Sequence, residues 1–151
     1  MGQGIPVKED HHLEANLETT VDQSDVRTID FRIFKDVNSH EATYQAGTEI
    51  LSPGTTSHMM YVVKQGLVTV QVKDVAVEQI GEGGIFGEMG IVDPQPHTAK
   101  VTALIDVVLF GVSEQQFLKL ISTTPTFALR VMRVLARRAR AMNTRLHSYS
   151  D

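Results

Sequence analysis

Four glycines stand within the eight residues Gly81–Glu88, and a glutamate, Glu88, follows the last of them. Glycine has no side chain, so the backbone can approach a ligand closely at these positions. Met89 and Gly90 then open a short apolar turn, whose free N–H groups bind an anion if the turn is helical. A carboxylate repels a phosphate, so Glu88 is better suited to accept hydrogen bonds from sugar hydroxyls. The spacing therefore predicts a site for a phosphate that carries a sugar.

A series of short strands must hold this stretch in place. From Glu41 to Val112 the chain alternates apolar runs with glycine turns, which is typical of a sandwich or jelly roll. Val68, Val70 and Val72 alternate with polar residues, so one face of their strand is buried. Val107–Val112 is a continuous apolar strand. The fold class we expect is mainly β with α, a double-stranded β-helix (jelly-roll) barrel with C-terminal helices.

Two helices are predicted after the strands. Ser113 and Gln116 form a capping-box pattern, which marks the start of a short helix. Thr124 followed by Pro125 favours the start of a second helix, because proline suits the first helical position. Apolar residues at steps of three and four carry this second helix to about Leu146.

The second predicted helix carries three rows of residues. Its apolar stripe comprises Ala128, Val131, Leu135, Ala139, Met142 and Leu146, its arginine stripe Arg130, Arg133, Arg137 and Arg140, and its narrower apolar row Phe127, Val134 and Ala141. One apolar row can cover the strands while the other meets a second chain. We therefore expect a homodimer with Phe127, Val134 and Ala141 at its interface. The arginine stripe is either a solvated face or a contact for an acidic partner.

Composition limits the classes of protein. The 151 residues suit one domain, predicted as a flexible acidic leader (1–26), a jelly roll with short flanking helices (27–123) and a long Arg-rich helix with a short tail (124–151). The absence of cysteine excludes disulfides, thiolate zinc sites and thiol catalysis. Neither a signal peptide nor a membrane-spanning run is visible, so a cytoplasmic location is expected.

The stretch FGEMGIVDPQPHTAKV resembles the phosphate-binding cassette of the cyclic nucleotide-binding domain family. Tyr44-x-x-Gly47, Pro53-Gly54 and Gly66-x-Val68 resemble the leading strands of that family in order and spacing, so the similarity spans roughly Phe34 to Leu146. The resemblance implies a regulatory module that binds cyclic AMP or cyclic GMP, with no other cofactor, no metal and no catalytic residues. It also implies a dimer through the long helix.

The resemblance transfers a set of ligand-binding residues: Phe86, Gly87, Glu88, Met89, Gly90, Pro96, His97, Thr98 and Ala99. In the pattern of the family, Glu88 binds the ribose 2′-hydroxyl and the N–H groups near Gly87, Glu88 and Ala99 hold the cyclic phosphate. Thr98 lies near the base and hints at guanine.

His97 departs from the pattern, because the family usually has the phosphate-binding arginine there. An arginine offers a permanently charged, forked donor, whereas a neutral imidazole offers one N–H and gains charge only near pH 6.5. His97 is either a weaker phosphate ligand or a surface histidine without a role. We therefore expect weak nucleotide binding that strengthens toward pH 5.5.

The distribution of charge along the chain and its net charge indicate which partners it can bind. Eight acidic residues lie between Glu9 and Asp36, whereas Thr124–Leu146 holds six arginines and no acid, so the two ends can attract each other. Specific DNA binding is not expected, because the net charge is -4 and only HSYSD follows Leu146, which leaves no helix-turn-helix.

Three functions remain open on the sequence. The first is a non-catalytic sensor that binds a cyclic nucleotide or related phosphate ligand. The second is a degenerate member that keeps the fold for dimerisation or partner docking. The third, less favoured, is a cupin-like metalloenzyme, for which His58 lacks a second histidine and Glu49 and Glu78 lack a recognisable spacing.

Overall fold

The computed structural model describes residues 29–150, except for the side chains of residues 146–150. The predicted leader, residues 1–26, lies outside the described residues. In the described range the strands are β1 (His40–Tyr44), β2 (Glu49–Leu51), β3 (Met59–Gln65), β4 (Val68–Val72), β5 (Val75–Ile80), β6 (Ile85–Phe86), β7 (Lys100–Ala103) and β8 (Val107–Ser113). The helices there are α1 (Arg32–Asp36), α2 (Met89–Val92), α3 (Glu114–Thr123) and α4 (Thr126–Ser150).

The eight described strands form two antiparallel four-stranded sheets. One sheet has the order β1-β8-β3-β6, and the other has the order β2-β7-β4-β5. Side chains from both sheets, including Val63, Val68 and Leu109, pack together between them. This arrangement, with helices after the last strand, confirms the predicted jelly roll.

A second core lies between the first sheet and the helices. Val62 and Phe110 belong to it, whereas their neighbours Val63 and Leu109 face the other sheet. Strands β3 and β8 are therefore buried on both faces, which explains why β8 is continuously apolar instead of alternating. At 25 cal/mol per Å², each fully buried valine or phenylalanine contributes roughly 1.5–3 kcal/mol.

Helix α1 precedes the first strand and packs against the first sheet. Phe34 of α1 is fully buried and stacks on Phe110 with a 4.8 Å centroid separation. Phe127 of α4 meets the Phe34 ring edge-on at 5.7 Å. The aromatic contacts attach both α1 and the beginning of α4 to the first sheet.

The predicted helix boundaries are confirmed to within a few residues. The hydroxyl of Ser113 accepts from the N–H of Gln116, whose side chain accepts from the N–H of Ser113, which completes the capping box of α3. Helix α3 ends at Thr123, and the two non-helical residues Thr124 and Pro125 separate it from α4. None of the helices in the described part of the chain is long and apolar enough to cross a membrane.

Candidate functional site

A cavity of about 1040 Å³ lies between the second sheet, the glycine-rich stretch and α4. Strands β4 and β5 supply an apolar wall that includes Val70, Val72 and Val77, and α4 supplies the opposite wall. Ligand cavities in proteins typically enclose about 300–1,000 Å³ and combine an apolar lining with a few polar groups. The cavity is large enough for a nucleotide.

The backbone of the predicted cassette turn adopts the conformation that its glycines favour. Gly87 has φ +74°, a conformation that favours glycine, and it leads from β6 into the single helical turn α2. A Cβ atom on Gly90 would lie 2.6 Å from the carbonyl oxygen of Ser57. Glycine at this position therefore allows α2 to pack directly on the segment that precedes β3.

Glu88 lies at the start of α2 and retains only 5% of its accessible surface. Its Oε1 accepts a hydrogen bond of 2.7 Å from Arg138 Nη1 on α4. Among residues 29–145, Arg138 is the hydrogen-bond donor to this carboxylate. It donates to Oε1, and Oε2 accepts no hydrogen bond from these residues. Glu88, the predicted hydrogen-bond acceptor for a sugar hydroxyl, is thus held through one of its two oxygens at the edge of the cavity.

Arg138 joins Glu88 to a second carboxylate. Its Nε and Nη2 donate to the two oxygens of Glu78 on β5 at 3.1 and 3.3 Å, and Nη2 also donates to the carbonyl of Ile85. Burial acts to lower the pKa of Arg138, but the charges of Glu88 and Glu78 outweigh it and raise that pKa above its usual value. The guanidinium stays charged and ties α4 to both β5 and the cassette.

Sequence reasoning missed Arg138 and the role of Glu78. The side of α4 that faces the first sheet and the cavity carries Phe127, Val131, Val134, Arg138 and Ala141, at steps of four, three, four and three. An arginine within an otherwise apolar helical row requires a carboxylate opposite it, because a buried charge is stable only when paired. This interruption of the row was the signal that could have identified Arg138.

His97 lies in the loop between α2 and β7. Its N–H donates to the carbonyl of Thr55 at 2.7 Å, and its own carbonyl accepts from the N–H of Gly54 at 2.8 Å. Its Nε2 is buried and has no hydrogen-bond partner among the described residues. The backbone N–H groups of Thr98 and Ala99 likewise donate to no described acceptor. The two backbone N–H groups of this loop are therefore donors that a ligand could satisfy.

The structure brings most of the predicted ligand-binding residues together. Those that line the cavity are Phe86, Gly87, Glu88, Met89, Pro96, His97, Thr98 and Ala99. Gly90 lies beneath the turn, where it allows close packing.

The predicted dimer row does not form one exposed face. Phe127 is 2% exposed and packs against Phe34 and Phe117 within the chain, and Val134 packs against the same core. Ala141 lies at the cavity. The side of α4 turned away from the sheets instead exposes Leu129, Met132 and Ala136, at steps of three and four.

The residues weighed for a cupin-like metal site lie apart. Within residues 29–145, no three histidine, cysteine, aspartate or glutamate side chains come together in a way that could hold a metal ion. Glu78 is instead paired with Arg138. The cupin-like alternative gains no support from the described part of the chain.

The cavity, the cassette turn and the jelly roll together have the features of a ligand-binding domain. The family model of the cyclic nucleotide-binding domain matches residues 41–124. The chain belongs to the cyclic nucleotide-binding domain family.

Known relatives agree with this assignment. A cyclic nucleotide-gated potassium channel of Rhizobium etli is 35% identical over 83 residues, which are 55% of this chain and 23% of the channel. The matched region is thus less than a quarter of that channel.

Solved structures show the same fold. The catabolite activator protein of Thermus thermophilus superposes with a TM-score of 0.70 and 25% identity, over 80% of this chain and 58% of that one. The EAL enzyme Bd1971 in its cGMP-bound form superposes with a TM-score of 0.53 and 33% identity, over 67% of this chain and 28% of that one. The fold and the family are those of sensor and regulatory modules.

Proposed function

We propose that the chain is a non-catalytic sensor that binds a cyclic nucleotide in the cavity between the cassette and α4. Glu88 carries this proposal, because a buried carboxylate has one oxygen fixed by Arg138 and the other without a described donor. An oriented carboxylate oxygen at a cavity edge suits a sugar hydroxyl. The similar EAL enzyme Bd1971 has a cGMP-bound form, which supports the same class of ligand for this chain.

The other donors fit the remaining parts of the ligand. The backbone N–H groups of Thr98 and Ala99, which line the cavity, are available to phosphate oxygens at the far end of the cassette, and a rotation of the His97 side chain would bring its buried Nε2 toward the same oxygens. The apolar residues of β4 and β5 provide a surface for the base. The ligand would then span the cavity, with its sugar between Glu88 and the phosphate side.

Binding is expected to be weak at neutral pH. A hydrogen bond to a charged group contributes about 1.5–3 kcal/mol, so replacing the charged arginine of the family by His97 costs roughly ten- to a hundredfold in affinity. Protonation of the imidazole would restore a positive charge beside the phosphate.

Calorimetry with cyclic AMP and cyclic GMP tests the proposal. The linear 5′-monophosphates are the matched control, because they carry the same base and sugar with a different phosphate. We expect saturable binding of a cyclic nucleotide and weaker binding of its linear counterpart. No heat at millimolar ligand would contradict the sensor function.

The alternative function is a degenerate domain used for dimerisation or partner docking. It is favoured by His97, which leaves the cassette without a permanently charged side chain at the phosphate position. The failure of every cyclic nucleotide to bind, with the fold intact, would select this alternative.

We also propose that the chain forms a homodimer through α4. The exposed row Leu129, Met132 and Ala136 is apolar, and a second copy of the same row would cover it. Light scattering should give twice the monomer mass, and Met132→Glu should halve it. A monomer at high micromolar concentration would contradict the dimer.

A further inference from the structure

The groups at the sugar end of the cavity determine where a base would lie. Arg138 on α4 joins Glu88 to Glu78 on β5, so the proposed sugar position lies where these three side chains meet. Toward its beginning, α4 enters the core, where Val131 and Phe127 are 3% and 2% exposed. The open direction for a base attached to the sugar is therefore toward the C-terminal end of α4.

The cavity has apolar walls in that direction. Val72 and Val77 line it from β4 and β5, and Met142 lines it from α4, one turn beyond Arg138. Such walls suit the flat faces of a purine ring. The edge of the ring carries donors and acceptors that lose water on entry, so a polar group beside these walls would determine which base fits.

Arg145 brings a guanidinium to the same region. It lines the cavity two turns beyond Arg138, and its Nη2 donates to the carbonyl of Val77 at 2.9 Å. Helical side chains tilt toward the N-terminal end of their helix, which directs the Arg145 side chain back along the cavity. We call the region lined by Val72, Val77, Met142 and Arg145 the base end.

The contact with Val77 leaves donors of Arg145 available. Arginine has several N–H donors in one plane, and the carbonyl of Val77 takes up one of them. No carboxylate among residues 29–145 lies within ion-pair distance of Arg145, which is exposed. Arg138 differs, because two carboxylates and a carbonyl occupy its donors. The remaining donors of Arg145 can therefore bind acceptors on a base.

Guanine and adenine present different groups to an arginine. Guanine has the two acceptors O6 and N7 on one edge, whereas adenine has the acceptor N7 beside the donor group N6–H₂. A guanidinium can donate to O6 and N7 together. Arginine has no acceptor, so the N6–H₂ group of adenine would face a second donor. A guanidinium at the base end thus favours guanine over adenine.

We propose that Arg145 is the specificity-determining residue of the cavity and selects a cyclic nucleotide whose base carries O6 and N7, as cyclic GMP does. The assignment rests on the proposed function, because it requires a cyclic nucleotide in the cavity. The bond to Val77 holds the guanidinium at the base end. Recognition of the guanine 2-amino group by Thr98 is the competing explanation that the experiment must distinguish.

Three cyclic nucleotides separate the two explanations. Cyclic GMP and cyclic IMP both carry O6 and N7, but cyclic IMP lacks the 2-amino group, and cyclic AMP has N6–H₂ in place of O6. Calorimetry should show that cyclic GMP and cyclic IMP bind about tenfold more tightly than cyclic AMP, a low value for such a contact because Arg145 is exposed. Equal binding of cyclic IMP and cyclic AMP would overturn the proposal.

A matched pair of substitutions tests whether the preference depends on Arg145. Arg145→Met removes the guanidinium and keeps a long side chain, so cyclic IMP and cyclic AMP should bind this variant alike. Arg140→Met is the control, because Arg140 is an exposed arginine of the same helix that does not line the cavity. It should keep the tenfold preference. An unchanged ratio in Arg145→Met, or an equal loss in Arg140→Met, would overturn the proposal.

The wild-type measurements also separate this inference from the proposed function. If all three cyclic nucleotides bind with equal affinity, or cyclic AMP binds most tightly, the sensor function stands and Arg145 does not select the base. If none binds at millimolar concentration, the sensor function fails, and base selection by Arg145 fails with it.

Discussion

The two ends of the cavity differ in how completely the chain satisfies them. At the sugar end, Glu88 is buried and joined by Arg138 to Glu78, so three charges fix one another. At the phosphate end, His97 is held only by its backbone, and its Nε2 has no partner among the described residues. The position of the side chain is thus strongly determined where the sugar would bind, whereas the loop of residues 93–99, where the phosphate would bind, contains no lysine or arginine.

The largest effect should come from removing the charge at the sugar end. Arg138→Leu leaves Glu88 and Glu78 facing each other without a cation, so we expect a loss of about 3 kcal/mol in the free energy of unfolding. This is the low end for a broken buried pair, because the side chains of Arg138 and Glu78 remain 26% and 24% exposed. Urea unfolding measures the loss.

Arg140→Leu is the control for Arg138→Leu. It removes an arginine from an exposed position of the same helix. We expect a change within about 0.5 kcal/mol. Equal losses in both variants would show that the carboxylate pairing contributes nothing measurable.

The next largest effect should come from adding charge at the phosphate end. His97→Arg supplies the forked, permanently charged donor, so the affinity for a cyclic nucleotide should rise about ten- to a hundredfold. Calorimetry at pH 7.5 measures the change, and His97→Lys tests whether charge alone is sufficient. Unchanged affinity in His97→Arg would place the phosphate away from this loop.

The smallest effect concerns Tyr61, which stacks on Phe86 beside the cassette at 5.3 Å. Burial raises the pKa of Tyr61, and the neighbouring Tyr44 adds to the rise. The unfolded chain then releases the phenolic proton at lower pH than the folded chain. Stability from this group is complete below about pH 10 and is lost as the pH rises through the folded pKa.

Tyr61→Phe keeps the stacked ring and removes the titrating group. Thermal unfolding between pH 9 and pH 11 should therefore decline less steeply in Tyr61→Phe than in the wild type. Identical slopes would show that Tyr61 titrates alike in both states.

The strands and helix starts were predictable because local chemistry determines them. The capping box at Ser113 and the break at Pro125 depend on neighbouring residues alone. The cassette turn followed from its glycines, of which Gly87 needs a positive φ.

Residues far apart in sequence determine the rest. The sequence shows three rows on α4, but Phe34 and Phe110 decide which row is buried, and both lie on other elements. Arg138 and Glu78 are 60 residues apart, so their pairing depends on how α4 crosses β5. A row read from one helix cannot reveal such contacts, although the arginine in an apolar row indicated that a carboxylate was needed.

The most direct test of the proposed ligand position removes one hydroxyl from the ligand. Calorimetry should compare the cyclic nucleotide that binds with its 2′-deoxy analogue, in the wild type and in Glu88→Leu, where Arg138 retains Glu78. If Glu88 accepts from the 2′-hydroxyl, the deoxy analogue should bind the wild type about tenfold or more weakly, and the two ligands should bind Glu88→Leu alike. Equal binding of both ligands to the wild type would contradict Glu88 as the sugar acceptor.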